Sequence, residues 1–288
     1  MTTTTLAPAR VRRFTPALWW IPLAIVIFYA LVAVVGPFLL AYDPVDTPLA
    51  DRLLPPGSPT ASGSIAVFGT DSLGRDVFAQ VVYGARTSML IGLSTVAICC
   101  AVGVTLGVIA GFFGKTIDAL LGRFTDVLLA FPGIVLAIVV AGLFERSVGL
   151  VILALSLTGW ISFARLARGS AVSFRSRDWV DAARVMGVSS GSIMLRHILP
   201  FVVGPVAALF TLEFGLIVLA EAGLSFLGIG LPASAVSWGQ VIASGKEYLA
   251  TAWWISAFPG IALAVLVLVV GLLGDQLSSR YQRGSNTR

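Results

Sequence analysis

Six stretches of apolar residues, each close to the length that crosses a bilayer, dictate what this chain can become. They occupy residues 18–41, 88–113, 124–144, 148–164, 201–222 and 252–274. A helix rises 1.5 Å per residue, so about twenty residues span a hydrocarbon core ~30 Å thick. Lipid leaves no partner for an unpaired N–H or C=O, which makes helices the only sensible choice. The fourth run is short and Pro132 interrupts the third. With 57% hydrophobic residues, 11% charged residues and a mean hydropathy of +0.96, the whole chain lies far outside soluble norms. The expected fold is an all-α polytopic membrane protein with six transmembrane helices.

Charge orients those helices. With the N-terminus inside, 14 of the 19 Lys and Arg residues fall on the cytoplasmic side, among them Arg10, Arg12, Arg13, Arg165, Arg168 and Arg184. That bias follows the positive-inside rule, and six spans return the C-terminus to the cytoplasm. Trp19-Trp20 and Trp253-Trp254 sit at span ends, where indoles favour the interface. The first run follows a basic flank as a signal peptide would. It is longer than a usual signal core and no Ala-x-Ala site follows it, so a retained anchor is expected. Topology alone explains a pI of about 9.7, and no nucleic-acid partner is implied.

Between the fourth and fifth runs lies a polar island, Arg175 to Pro200, that reads as two short helices joined by a glycine turn. Asp178 is expected to cap the first, with Asp181 in the acid position of a capping box. Gly187 suits the left-handed position past that helix end. Ser189 or Ser190 caps the second helix, and Leu199-Pro200 closes it. A membrane protein that keeps such a motif on its aqueous face shows it to a soluble partner.

The succession Asp181-Ala182-Ala183, Gly187, Leu199-Pro200 resembles the Glu-Ala-Ala loop of bacterial ATP-binding-cassette importer permeases, with Asp181 where that family usually has Glu. Phe68-Gly-Thr-Asp-Ser-Leu-Gly-Arg-Asp-Val-Phe78, Tyr83-Gly-Ala-Arg-Thr-Ser88, Thr125-Asp-Val-Leu-Leu-Ala-Phe-Pro132 and Leu219-Ala-Glu-Ala-Gly-Leu-Ser-Phe-Leu-Gly228 are similar to further signatures of the dipeptide, oligopeptide and nickel group, nearest its C-type dipeptide permeases. The resemblance runs from about Phe68 to Asp275. It implies a type I importer permease core in which Asp181, Ala182, Ala183, Arg184 and Gly187 couple to an ATPase subunit. It also implies a homologous second permease, two cytoplasmic ATPases and an extracytoplasmic substrate-binding protein. Residues 1–87 then supply the cytoplasmic N-terminus, anchor and outer loop. Residues 88–275 form a five-helix core with the coupling loop at 165–200, and 276–288 a disordered basic tail.

Catalytic chemistry is missing. Gly111-Phe-Phe-Gly-Lys-Thr116 ends like a phosphate loop, but Ile109 stands where its leading glycine belongs. Cys99 and Cys100 are adjacent on a helix and point about 100° apart, so they cannot converge on a metal. Neither cofactor nor metal is expected in this chain, nor is an enzyme activity of its own.

Two acids lie in the fifth run. An ionised carboxylate at mid-bilayer costs about 2.5–3.5 kcal/mol, so Glu213 and Glu221 must face protein or a watery path. They either line the passage, attracting a substrate's ammonium group, or serve helix packing. Gly103-x-x-x-Gly107-x-x-x-Gly111 allows close approach of another helix, in this chain or in a second permease. A secondary transporter would need acids or broken helices in both halves, and a scaffold would not need a glycine-hinged loop. Among importers, oligopeptide, nickel-chelate, haem and glutathione carriers are the alternatives to a dipeptide carrier.

Overall fold

The computed structural model describes residues 20–40, 42–43, 46–232 and 234–285; the expected basic flank at Arg10, Arg12 and Arg13 lies outside them. Among the described residues, five helices are long and apolar enough to cross a membrane: α1 (Trp20–Leu39), α2 (Val77–Phe113), α5 (Val148–Arg175), the helix that runs from Ser190 to Phe226, and α10 (Trp254–Ser285) over Trp254–Ser279. The remaining expected span is broken. α3 (Lys115–Leu129) and α4 (Gly133–Leu143) meet at 74°. Pro132 has no N–H to give and keeps Phe131 out of helical geometry, so the helix stops there and restarts in a new direction.

The helices also outrun the apolar stretches. α2 begins at Val77, eleven residues before the expected start, because Asp76 caps it by accepting the Phe78 N–H at 3.0 Å. α5 continues past residue 164 to Arg175, and α10 is helical through Ser285. Of the tail expected to be disordered from 276, residues 276–285 extend the last helix, and the rest lies outside the described residues. Hydropathy marks where lipid ends; backbone hydrogen bonding carries each helix beyond it.

α2 and α5 form the centre. A Cβ on Gly103 would lie 2.3 Å from the Trp160 carbonyl oxygen, and one on Gly107 would lie 2.3 Å from that of Ala164. Gly111 meets Arg168 and Ala171 in the same way. The glycine stripe is thus an intrachain seam. α1 leans on α2 through Gly36 and Val82, and its Tyr29 hydroxyl donates to the Ala262 carbonyl at 3.0 Å. A second apolar cluster, including Val108, Phe112, Ala171, Ala183, Ile193 and Val202, fills one end of the bundle.

At the other end the expected outer loop forms a folded cap. It holds a one-turn helix (Leu49–Asp51) and an antiparallel hairpin, β1 (Ser58–Pro59) with β2 (Ile65–Ala66). Trp254 Nε1 donates to the Thr70 carbonyl at 3.1 Å, and Phe68 stacks on Phe258 at 4.1 Å. These contacts fasten the cap to the start of α10.

Candidate functional site

The polar island folds as a short helix, a turn and a second helix. α6 (Asp178–Val185) starts one residue earlier than expected: Arg177 is the N-cap and makes no side-chain cap bond. Asp178 and Asp181 instead occupy the first turn, where the N-terminal end of the helix dipole favours acids. Asp181 does not reach back to the cap; its carboxylate accepts from Arg184 Nη1 at 2.9 Å, one turn on. Past Met186 the chain turns at Gly187, whose φ is +78°. The Val188 N–H then bonds the Ala183 carbonyl and the Gly187 N–H the Arg184 carbonyl, both at 3.0 Å. This is the paired closure that a left-handed residue makes possible. Ser189 caps α7 (Ser190–Ile193) by accepting the Ser192 N–H.

Leu199-Pro200 does not end that helix. One π turn (Met194–Ile198) leads straight into α8 (Leu199–Phe226), so the recognition segment and the next span are one rod. Pro200 follows that π turn directly, as the second residue of α8.

The expected coupling residues divide by exposure. Asp181, Ala182, Arg184 and Gly187 are exposed, while Ala183 is buried in the chain's own second cluster. Ala183 is small because α6 packs tightly on the bundle. The residues that sequence reasoning missed are Val185 and Met186, 89% and 74% exposed, and they make the apolar tip of α6. Their signal was available: two large apolar residues directly before a left-handed glycine project from the end of an amphipathic helix.

α6 is firmly seated. The Arg184 guanidinium lies 5.3 Å from the Phe112 ring centroid, at the end of α2. Trp179 stacks on His197 with centroids 6.0 Å apart, and Phe174 on Phe201 at 4.8 Å. Arg175 Nη1 donates to the Gly111 carbonyl at 3.2 Å. Beside it, Arg168 forks onto the Asp118 carboxylate and so ties α3 to α5. A push on α6 therefore reaches α2, α5 and α8 through packed side chains.

The two membrane acids separate in role. Glu221 is fully buried and accepts from Ser88 Oγ at 2.9 Å and Ser225 Oγ at 2.7 Å, with the buried Ser237 hydroxyl as a third contact. It joins α2, α8 and α9 (Trp238–Gly245). Fully buried, it exposes no surface to a passage in this arrangement. Glu213 is half-buried and makes no hydrogen bond or salt bridge among the described residues. We expect Glu221→Leu to cost about 1–3 kcal/mol through stranded hydroxyls and Glu221→Gln clearly less, read by thermal unfolding in detergent.

The motif from Phe68 to Phe78 builds the cap. Asp71 is buried and accepts from Leu73 N (2.8 Å), Arg75 N (2.9 Å), Arg75 Nε (2.8 Å), Arg75 Nη2 (2.7 Å) and Gln80 Nε2 (2.9 Å). Burial pushes the Asp76 carboxyl above the usual range, against the pull of the Phe78 and Ala79 N–H groups. Tyr42 is pushed up to about 12, mainly by burial.

The architecture is a multi-helix membrane bundle with a stiff helix-turn-helix at one end, and comparison with known proteins identifies it as a membrane transport subunit. Residues 103–283 match the family described as "Binding-protein-dependent transport system inner membrane component". The chain is 40% identical over 257 residues to a putative peptide transport system permease protein of Brucella suis, covering 89% of this chain and 84% of that one. It is 35% identical to the dipeptide transport system permease protein DppC of Alkalihalophilus pseudofirmus, over 88% of this chain and 82% of that one. It is 34% identical to the probable D,D-dipeptide transport system permease protein DdpC of Escherichia coli, over 87% and 82%. The chain belongs to the binding-protein-dependent transport system inner membrane component family.

Proposed function

We propose that this chain is a permease subunit that carries dipeptides or short peptides inward across the cytoplasmic membrane, driven by ATP hydrolysis on separate subunits. Both termini and α6 face the cytoplasm in this reading, which the excess of Lys and Arg on that side supports. A homologous second permease, two ATPases and an extracytoplasmic binding protein complete the importer. ATP binding closes the ATPase pair, and α6 moves with it. Because Ala183 and Val180 are locked into a cluster with α2, α5 and α8, that movement tilts the helices and opens the bundle outward.

The observation that carries this reading is the exposed tip of α6 on a rigid seat. An apolar Val185-Met186 pair beside an Asp181–Arg184 ion pair is shaped to enter a groove on a soluble protein. Peptide substrates are supported by the relatives, which are named for peptide and dipeptide transport. The other solutes carried by similar permeases differ in the binding protein that delivers them.

Co-purification tests the reading. Native membranes holding a tagged chain are extracted in mild detergent, with Val185→Asp/Met186→Asp as the variant. The wild type should bring down a second permease and ATPases. The variant should keep the second permease and lose at least about tenfold of the ATPase, since desolvating two new carboxylates costs more than 1.4 kcal/mol. Full ATPase recovery with the variant would remove α6 as the docking element. Gly187→Val is a milder companion: a side chain there meets open space, so only the left-handed backbone penalty of about 1–2 kcal/mol applies.

A further inference from the structure

Three large grooves within the bundle are lined almost wholly by apolar side chains. One of about 850 Å3 runs between α2, α8 and α10, past Val104, Val202 and Phe210. Another, of about 620 Å3, lies between α1, α2, α8 and α10 and has Arg86 as its one charged residue. A third, of about 560 Å3, lies against Trp160 and Leu128. Such surfaces suit acyl chains or another apolar helix. A zwitterion cannot cross beside them without shedding its hydration unpaid.

A fourth crevice, between α5, α8 and α10, is different. Its volume is about 600 Å3, inside the roughly 300–1,000 Å3 range of small-molecule sites, and Ser162, Asp275 and Ser278 line it. Gly271 leaves it open on the α10 side, where a Cβ would meet nothing within 4 Å, while Gly274 lets α10 approach Thr211 of α8 closely. Pro205 stands in its α8 wall and offers no N–H to the Phe201 carbonyl. Water in a crevice can satisfy that acceptor, and lipid cannot.

The acids set its direction. Asp275 is twenty-one residues from the start of α10 at Trp254, about 32 Å along the helix, which places it at the cytoplasmic mouth. Glu213 follows Leu209 of the crevice wall by one turn, at mid-depth in α8. Among the described residues neither acid forms a salt bridge. A carboxylate at mid-bilayer without a partner needs protein or a watery path, and Glu213 directly follows Leu212 of the crevice wall.

We propose that this crevice is the cytoplasmic half of the substrate's passage, and that Asp275 at its mouth holds the substrate's cationic end while the Ser162 and Ser278 hydroxyls donate to its carboxylate. The assignment rests on the import reading above. Glu213 is the deeper step for the ammonium group, and the low-dielectric walls focus the field of both acids.

The test uses the complete complex in inside-out vesicles, in a Cys99→Ala/Cys100→Ala background carrying Ser162→Cys. Membrane-impermeant methanethiosulfonates are applied, one with a trimethylammonium head and one with a sulfonate. Relative to their rates with a free thiol, the cationic reagent should react at least about tenfold faster, the lower end of focusing in a charged cleft. Asp275→Asn should cut that preference several-fold. Modification should stop import of a labelled dipeptide while the ATPases stay bound. An unreactive Ser162→Cys, a preference that ignores Asp275→Asn, or undiminished import after full modification would overturn the passage. Thiol labelling does not depend on which solute is carried. Charge-selective labelling in a complex that imports no dipeptide would therefore strike at the substrate assignment and leave the passage standing.

Discussion

Replacing Gly107 with leucine should abolish the folded bundle. The position a Cβ would take lies 2.3 Å from the Ala164 carbonyl oxygen and 3.0 Å from its carbonyl carbon and Cα. All three are main-chain atoms of α5, held by that helix's own hydrogen bonds, so no rotamer change relieves the clash. α2 and α5 would have to separate along their length, undoing the contacts of Gly103 with Trp160 and Phe163 and of Gly111 with Arg168 and Ala171. Overpacking a core costs about 1–3 kcal/mol when side chains can shift. Here they cannot, and the loss should exceed ~3 kcal/mol, a large part of the ~5–15 kcal/mol that holds a typical domain together. Gly122→Leu is the matched control, because nothing lies within 4 Å of its Cβ position. Size-exclusion of detergent extracts reads the result: an aggregated Gly107→Leu beside a monodisperse Gly122→Leu. A monodisperse Gly107→Leu with unchanged melting would show that α2 and α5 do not pack through this seam.

Run length alone carried the membrane architecture, because the cost of an unpaired backbone group in lipid leaves few alternatives. It could not show where helices end. The first turns of α2 hold Gln80, Tyr83 and Arg86, and the last turns of α5 hold Arg165, Arg168 and Arg175. Polar residues like these end a hydropathy window without ending a helix. Pro132 was visible as a flaw in the third run, but a bend as sharp as 74° depends on how α3 is held, and the Asp118–Arg168 tie spans fifty residues. The turn at Gly187 was legible from local chemistry. Ala182 and Ala183 looked alike in sequence, and only packing separates the exposed one from the buried one. Glu221 shows the same limit. Its spacing to Ser225 is a helical i,i+4 pair, but Ser88 lies 133 residues away, so only the fold reveals the acid as a fastening.

The cap offers the second large effect, and it bears on how the outer end of the bundle is held. Asp71→Ala should cost about 3–5 kcal/mol, the range for removing one member of a buried charged network. Five N–H contacts converge on its two oxygens. Two come from the main chain of Leu73 and Arg75, two from the Arg75 guanidinium and one from Gln80 in the first turn of α2. With the acceptor gone, the turn at Gly74, closed by a Gly74 N–H to Asp71 carbonyl bond at 3.1 Å, loses its side-chain support. Thr70 is next in line, since its carbonyl receives the Trp254 indole and its hydroxyl meets the Asp51 carbonyl. The cap should then loosen from α10, and the start of α2 should fray with it. Asp71→Asn keeps one carbonyl oxygen for the main-chain donors and should lose clearly less. Thr60→Ala, which removes an exposed hydroxyl from the hairpin tip, should stay within ~0.5 kcal/mol. Thermal unfolding in detergent ranks the three, and limited proteolysis from the proposed extracytoplasmic face reads the cap directly. Faster cleavage between residues 46 and 76 in Asp71→Ala, with the rest of the chain still protected, would place the damage in the cap. Equal cleavage in all three variants would mean that the Asp71 network does not hold the cap in place.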